Sequence, residues 1–236
     1  MALETDLTYY KFDLERDTLA TALGGGMPKG SMVLITGKFG SGKSVICQRF
    51  TYGFIENGYT ATYVSSETNT KPFINQMNSL NYPVKEEIYS QQLKFVPVNP
   101  LVGKSCSREE ALSRLLEGDG MYGRNITIID TLSSLIEDCP TESLSLEALS
   151  FFQKTCSRGK TLFLTLDPDE VDEDIMTPYK SAADVYLQLD RKTIGGETER
   201  IINVRRFTSA SGRMQDVIKF RIEPNAGFVV DITQVT

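Results

Sequence analysis

GKFGSGKS, the run from Gly37 to Ser44, matches the G-x-x-x-x-G-K-[ST] pattern of a phosphate-binding loop. The apolar run SMVLIT, from Ser31 to Thr36, precedes it, and the amphipathic run SVICQRFTYGFIENG follows. In that second run Ile46, Phe50 and Phe54 recur every four residues, as on one face of a helix. A strand, a glycine-rich loop and a helix in this order direct the helix N-terminus and the loop N–H groups at the same point. We therefore predict a site for the phosphates of a nucleoside triphosphate.

The residues of this loop have separate predicted roles. Gly37, Gly40 and Gly42 leave room for the backbone to approach the ligand. Lys43 is expected to neutralise the β- and γ-phosphates and to assist any catalysis, and the Ser44 hydroxyl is expected to bind Mg²⁺. The predicted nucleotide contacts form one continuous run: Gly37, Lys38, Phe39, Gly40, Ser41, Gly42, Lys43, Ser44 and Val45.

The order of apolar and helical runs predicts an α/β fold. Up to about residue 180 strands alternate with helices, which is typical of a parallel sheet covered by helices. These strands are expected at residues 31–36, 59–67, 93–98, 126–130 and 161–167, with helices at about 70–81, 107–116 and 144–157. Beyond that point four strand-like runs, at 184–191, 199–207, 216–223 and 227–233, favour antiparallel hairpins added to the same sheet. A separate small β domain is the alternative, but it would have a marginal core, so we predict one domain over residues 1–236.

Two carboxylates are predicted to complete the site. A triphosphate site of this type needs a carboxylate at the end of another apolar strand to hold the metal, and Asp130 closes the run ITIID. Asp130 capping the following turn is the alternative. Some families place a catalytic glutamate directly after this aspartate, but that position here is Thr131. Glu67 ends a strand on the same side of a parallel sheet and is the candidate base, with an exposed loop carboxylate as the alternative.

Composition excludes several other kinds of site. The chain has no histidine, so the usual hydrolytic triads, helix-borne zinc protease sites and most transition-metal sites lack their imidazole. Its four cysteines form no CxxC pair, which leaves a zinc knuckle or redox motif without support. A net charge of −6 disfavours nucleic acid as a ligand. No run of about 18 apolar residues is present, and we predict a soluble protein that is not secreted.

The acidic run DPDEVDED, from Asp167 to Asp174, has three interpretations. It could dock a basic partner or hold a divalent ion, but a solvated loop is favoured. Asp167 is the exception, because it ends an apolar strand on the same side as Asp130 and can face the nucleotide.

The run from Gly24 to Glu67 resembles the opening of KaiC-like, RecA-fold ATPases, with its G-x-P-x-G-S lead-in, its phosphate loop and a glutamate ending the second strand. INQMNSL, residues 74–80, and IIDTLSSL, residues 128–135, are similar to a narrower family, the FlaH (or ArlH) accessory ATPases of the archaeal flagellum, or archaellum. The resemblance covers nearly the whole chain. It implies a RecA-like P-loop NTPase fold.

This resemblance also implies a function. Members of the family are cytoplasmic, bind ATP and Mg²⁺, and assemble into hexameric rings that dock beneath the membrane against the motor ATPase and other archaellum components. Contact with the membrane is indirect, through these partners. Hydrolysis is weak or absent, which makes the role of Glu67 as a base less secure than its position. Arg205 and Arg206 resemble basic residues that reach the γ-phosphate bound by a neighbouring subunit.

Two other functions stay open at this point. A KaiC-like signalling ATPase or autokinase would become phosphorylated during incubation with ATP. A DNA-dependent ATPase of the RecA/RadA kind needs basic loops after the strand that ends at Asp130, but the run SSLIEDCPTESLSLE there is acidic. Salt-sensitive binding of single-stranded DNA would favour the second alternative.

Overall fold

A nine-stranded sheet forms the centre of the fold, and helices cover both of its faces. The structure is a computed structural model that describes residues 8–98, 108–136, 142–194 and 197–231. The strands of these residues are β1 (Tyr9–Tyr10), β2 (Met27–Pro28), β3 (Met32–Gly37), β4 (Ala61–Ser65), β5 (Leu93–Pro97), β6 (Ile126–Asp130), β7 (Thr161–Leu166), β8 (Val185–Ile194), β9 (Glu197–Phe207), β10 (Val217–Glu223) and β11 (Gly227–Val230). The helices are α1 (Leu19–Ala22), α2 (Lys43–Glu56), α3 (Thr70–Ser79), α4 (Lys85–Tyr89), α5 (Arg108–Glu117), α6 (Ser133–Ile136), α7 (Glu142–Ser157) and α8 (Glu173–Ala182).

The strands of the main sheet lie in the order β11-β10-β9-β8-β3-β7-β6-β4-β5. The six strands from β8 to β5 in this order are parallel, and β9, β10 and β11 extend the same sheet in antiparallel pairs. The predicted α/β class with C-terminal antiparallel strands is therefore confirmed. The C-terminal strands continue the main sheet, because β8 pairs with β3 on one side and with β9 on the other.

Each face of the sheet is buried under its own set of helices. On one face α2 and α3 pack on the strands through side chains such as Phe50, Phe54 and Phe73. On the other face α5, α7 and α8 supply buried groups such as Phe152 and Tyr179. This two-sided burial explains why the central strands read as continuous apolar runs in the sequence.

The N-terminal segment is fastened to the middle of α2. The guanidinium of Arg49 donates to both carboxylate oxygens of Asp17, at 2.5 and 2.7 Å, and to the carbonyl oxygen of Phe12, at 2.9 Å. The side chains of this ion pair are fully buried. A Cβ on Gly53 would clash with Arg49 and would lie 2.6 Å from the Phe12 carbonyl oxygen, so the close approach requires glycine at this position.

Helix α8 corrects one prediction. It begins inside the acidic run that was predicted to be a solvated loop, and its first turn contains Glu173 and Asp174. Negative side chains stabilise the N-terminus of a helix, so the same residues that suggested a loop fit a helix start. Helices α1, α4 and α6 and the two-residue strands β1 and β2 were not predicted either, because they are too short to show periodicity. Residue 107 of the helix predicted at 107–116 and residues 232–233 of the last predicted strand lie outside the described residues.

No helix of the described residues is long and apolar enough to cross a membrane.

Candidate functional site

The phosphate loop lies at the carboxyl edge of the sheet, between β3 and the first turn of α2. Gly40 and Gly42 have positive φ angles of 77° and 103°, a region that favours glycine. A Cβ on Gly37 would lie 2.8 Å from the carbonyl oxygen of Leu189 on the adjacent strand β8. The three glycines therefore permit both the turn and its close packing on the sheet.

The inner side of the loop has the character of an anion cradle. The hydroxyl oxygen of Ser41 is buried and has no hydrogen-bond partner among the described residues. A buried polar atom left unpaired is costly, so an acceptor or donor is expected at this position when the site is filled. The residues present thus fit a phosphate group. The outer side differs, because Lys38, Phe39 and Gly40 are exposed, with 92% of Phe39 accessible to solvent.

Lys43 is directed back across the loop. Its ammonium group donates to the carbonyl oxygen of Gly37 and to Oδ2 of Asp167, the latter at 2.9 Å. The side chains of this pair are only 10% and 5% exposed. Asp167 follows β7, which lies next to β3, so the adjacency of these strands creates the contact.

Asp130 ends β6 and lies within a group of hydroxyls. Its Oδ1 is 3.2 Å from the Ser44 hydroxyl, 3.3 Å from that of Thr165 and 3.4 Å from that of Thr131. Its Oδ2 accepts a hydrogen bond from the hydroxyl of Tyr63 at 2.7 Å. Burial raises the pKa of Asp130, and the hydrogen bonds from Tyr63 and Ser44 oppose that rise.

These oxygen atoms fit Mg²⁺, which prefers hard oxygen ligands. Within the described ranges there is no cluster of three acidic, cysteine or histidine side chains that could enclose a metal ion. Magnesium in phosphate-loop proteins does not require such a cluster, because a hydroxyl, a carboxylate, water and the phosphates share the coordination. Ser44 and Asp130 would hold the ion here, and it would neutralise charge on the phosphates.

Glu67 shares a cavity with the loop. The cavity has a volume of about 260 Å³ and is lined by Phe39, Gly40, Gly42, Lys43, Ser44, Val45, Glu67, Thr131, Arg200 and Ile222. Glu67 is exposed, and its Oε1 accepts a hydrogen bond from the Thr131 hydroxyl at 3.0 Å. The structure therefore brings the predicted base, Lys43 and Ser44 to one place.

Arg205 and Arg206 lie away from this cavity. Arg206 pairs in register with Tyr186, which in turn pairs with Leu34, three residues before the loop begins. Its guanidinium donates to the carbonyl oxygens of Lys180, Ser181 and Ala183 at the end of α8, at 2.9 to 3.0 Å. The Nε of Arg205 donates to the side-chain oxygen of Gln188 at 3.0 Å. Neither arginine reaches the phosphate loop of its own chain.

Four residues of this site were not predicted from the sequence. Tyr63 and Thr165 contact Asp130, Arg200 lines the cavity, and Arg191 packs against Gly40. No local motif marks them, since they come from β4, β7, β9 and β8. Only the strand order and register bring them together.

Comparisons with known proteins agree with this architecture. The family model described as KaiC, an ATPase, matches residues 17–234. The chain is 35% identical to the archaeal flagellar ATP-binding protein FlaH of Methanocaldococcus jannaschii, over 95% of this chain and 97% of the relative. It is 30% identical to the protein of the same name from Methanococcus voltae, over 97% of this chain and 100% of the relative.

Solved structures give the same result. The crystal structure of the flagellar accessory protein FlaH from M. jannaschii matches with a TM-score of 0.87 at 34% identity, over 95% of this chain and 100% of that one. A KaiC-like protein from Pyrococcus horikoshii matches with a TM-score of 0.74 at 20% identity, over 94% of this chain and 98% of that one, and shows the same fold.

Proposed function

Because this chain belongs to the KaiC family of ATPases and, within it, to the FlaH proteins of archaeal flagella, we propose that it is an ATP-binding subunit of the archaellum machinery. Two relatives with at least 30% identity over nearly their whole length carry the name of an archaeal flagellar ATP-binding protein. The proposed ligands are ATP and Mg²⁺.

One observation carries this proposal: Lys43, Ser44 and Asp130 meet beside a glycine-lined loop at the carboxyl edge of the sheet. The loop N–H groups and the N-terminus of α2 would bind the phosphates, and Lys43 would balance their charge. Ser44 and Asp130, 3.2 Å apart, would hold the metal beside them. Each of these groups suits the phosphate chain of a nucleotide or its metal ion.

Hydrolysis is proposed to be weak or absent. Glu67 is the only candidate base that the sequence analysis named, and it is exposed and hydrogen-bonded to Thr131. Thr131 occupies the position where some families place a catalytic glutamate. Because the Glu67 carboxylate accepts a hydrogen bond from Thr131, it would have to leave that partner to act on the attacking water, and this contact supports slow turnover.

Assembly is the second part of the proposal. We infer that the chain, as one domain over residues 1–236, forms a ring of six copies that docks on the motor ATPase at the cytoplasmic side of the membrane. The exposed positions of Arg205 and Arg206 support a role between subunits, because neither residue reaches its own phosphate loop. We propose that they approach the γ-phosphate held by a neighbouring copy.

The mass of the particle in solution, measured with and without Mg-ATP, tests binding and assembly together. We expect a shift toward a ring for the natural chain and none for Lys43→Ala, which loses the charge that balances the phosphates. Arg205→Ala should weaken the shift while Mg-ATP affinity remains. Arg206 is less suitable alone, because it also caps α8 and its loss would alter stability.

Calorimetry on the same samples separates the two parts of the proposal. No affinity of the natural chain for Mg-ATP would overturn the nucleotide site itself. Binding without any change of mass would overturn the ring, and an unchanged mass shift in the Arg205→Ala, Arg206→Ala double variant would remove those residues from the interface.

A further inference from the structure

Two arginines stand side by side next to the phosphate loop. Arg191 on β8 and Arg200 on β9 are direct cross-strand partners in an antiparallel pair. Like charges at such positions repel each other, because the two side chains leave the sheet on the same face about 5 Å apart. Unlike Arg221, which is paired with Asp231 and Glu223, neither arginine forms an ion pair with a carboxylate among the described residues. No carboxylate of the described residues therefore offsets this repulsion, although solvent screens it at the exposed Arg191.

Arg200 belongs to the wall of the cavity that contains the loop. It lines this cavity together with Lys43, Ser44 and Glu67. Its Nε is buried and has no hydrogen-bond partner in the described part of the chain. Burial lowers the pKa of Arg200, and the charge of Arg191 lowers it further. Because Arg200 lines the cavity and no carboxylate of the described residues pairs with it, an anion in the cavity would supply the missing counter-charge.

Arg191 approaches the loop from the same hairpin. Its guanidinium nitrogen lies 3.1 Å from the place that a Cβ on Gly40 would occupy. The two arginines and Lys43 thus add three positive charges to that of Lys38 around one loop. Among the described residues Lys43 pairs with Asp167 and Lys38 with Asp169, whereas neither arginine has an acidic partner. An anion with several oxygen atoms would satisfy this arrangement, since guanidinium groups match phosphate oxygens in charge and geometry.

We propose that Arg200, supported by Arg191, is a nucleotide-binding residue that contacts the phosphate chain held by the loop of its own subunit. This inference rests on the proposed function, because it assigns a further contact to the same ligand. It differs in kind from the role of Arg205 and Arg206, which would act on the nucleotide of a neighbouring copy. Arg200 therefore contributes to affinity even in a single, unassembled chain.

Calorimetric titration of the full chain with Mg-ATP and Mg-ADP tests the proposal. Arg200→Gln should weaken the affinity for Mg-ATP by about 10- to 100-fold, the range expected for one charge-assisted contact to phosphate. Arg200→Lys keeps the charge but lacks the planar guanidinium, so its Mg-ATP affinity should lie between those of Arg200→Gln and the natural chain. Arg221→Gln is the matched control, because it removes the same charge from the neighbouring strand β10 and should leave the affinity unchanged.

Thermal unfolding without nucleotide separates binding from structure. If Arg200 had a purely structural role, its substitution would lower the melting temperature of the protein. We instead expect Arg200→Gln to be at least as stable as the natural chain, because the change removes a repulsion with Arg191. Equal Mg-ATP affinity of Arg200→Gln and Arg221→Gln would overturn the inference while the nucleotide site stands. A natural chain that binds neither nucleotide would instead overturn the proposed function. An equal loss for ATP and ADP would assign the contact to the α- or β-phosphate, and a loss for ATP alone would assign it to the γ-phosphate.

Discussion

Helix α2 carries two basic side chains, Lys43 in its first turn and Arg49 six residues later, and the two charges differ in their burial and in their partners. Arg49 is completely enclosed, and Asp17 and the Phe12 carbonyl accept its hydrogen bonds. Lys43 faces a cavity, and its acidic partner is Asp167 at the same edge of the sheet. One site is closed and saturated, and the other is open to a ligand.

The comparison shows how burial distinguishes a structural charge from a functional one. A buried ion pair whose members are fully hydrogen-bonded holds two segments in register but has no capacity to bind anything else. At the loop edge the buried hydroxyl of Ser41 and the Nε of Arg200 lack partners among the described residues. These two groups lie beside the phosphate loop, and their lack of partners fits a site that a ligand completes. Mutations should therefore separate stability from binding along this single helix.

The largest effect is expected from Asp17→Asn. This change leaves the buried charge of Arg49 without its counter-charge and should lower the free energy of unfolding by about 3–5 kcal/mol. Chemical denaturation would measure the loss, and calorimetry should show Mg-ATP affinity little changed. Glu223→Gln, which breaks an exposed ion pair with Arg221, is the control and should cost less than about 1 kcal/mol. Equal costs for the two variants would contradict the comparison.

Asp167→Asn should have an effect of intermediate size. It should change the affinity for Mg-ATP and not the stability of the fold. The change frees Lys43 and removes a negative charge from the phosphate site, so Mg-ATP affinity should rise by up to about tenfold, or ~1.4 kcal/mol. Titration calorimetry at constant ionic strength is the appropriate measurement. Weaker binding by this variant would show that Asp167 serves the bound nucleotide complex directly.

Tyr63→Phe should give the smallest effect. The variant removes the hydroxyl that donates to Asp130, so the carboxylate is less firmly oriented toward Ser44 and its pKa rises further. We expect the ratio of ATP affinities with Mg²⁺ and with a chelator to fall by about threefold, at the low end for loss of one hydrogen bond.

The pH dependence of that ratio has a defined sign. Protonation of Asp130 weakens metal binding, and a raised pKa moves this loss to higher pH, so the Mg²⁺-dependent part of the affinity should disappear at a higher pH in Tyr63→Phe than in the natural chain. Tyr122→Phe, which removes a buried hydroxyl bonded to Leu115, is the control and should leave the ratio unchanged. An identical pH profile for both variants would exclude Tyr63 as a positioning residue.

The features predicted from the sequence are those that depend on residues within one short segment. The glycine-lysine-serine pattern of the loop lies in one segment, and Asp130 and Glu67 were found because each ends an apolar run whose carboxyl end had to reach the same edge. The central strands were recognised because burial on both faces leaves no polar alternation.

The remaining features depend on pairing between distant strands. Tyr63 reaches Asp130 because β4 lies beside β6, and Arg200 meets Arg191 through the register of β8 and β9. No local pattern encodes such a register. Helix α8 was missed for another reason: it contains Pro178, and only Met176 and Tyr179 in it are buried, which leaves little periodicity to detect.

The position of β3 has a consequence for synthesis of the chain. This strand carries the phosphate loop, but both of its neighbours in the sheet, β7 and β8, come far later in the sequence. A nascent chain that has left the ribosome as far as β6 contains the complete loop and its aspartate, while the strand that must hold the loop in place is still alone. We therefore expect ATP to stabilise the chain only when translation is nearly complete, and not to stabilise an early folding intermediate.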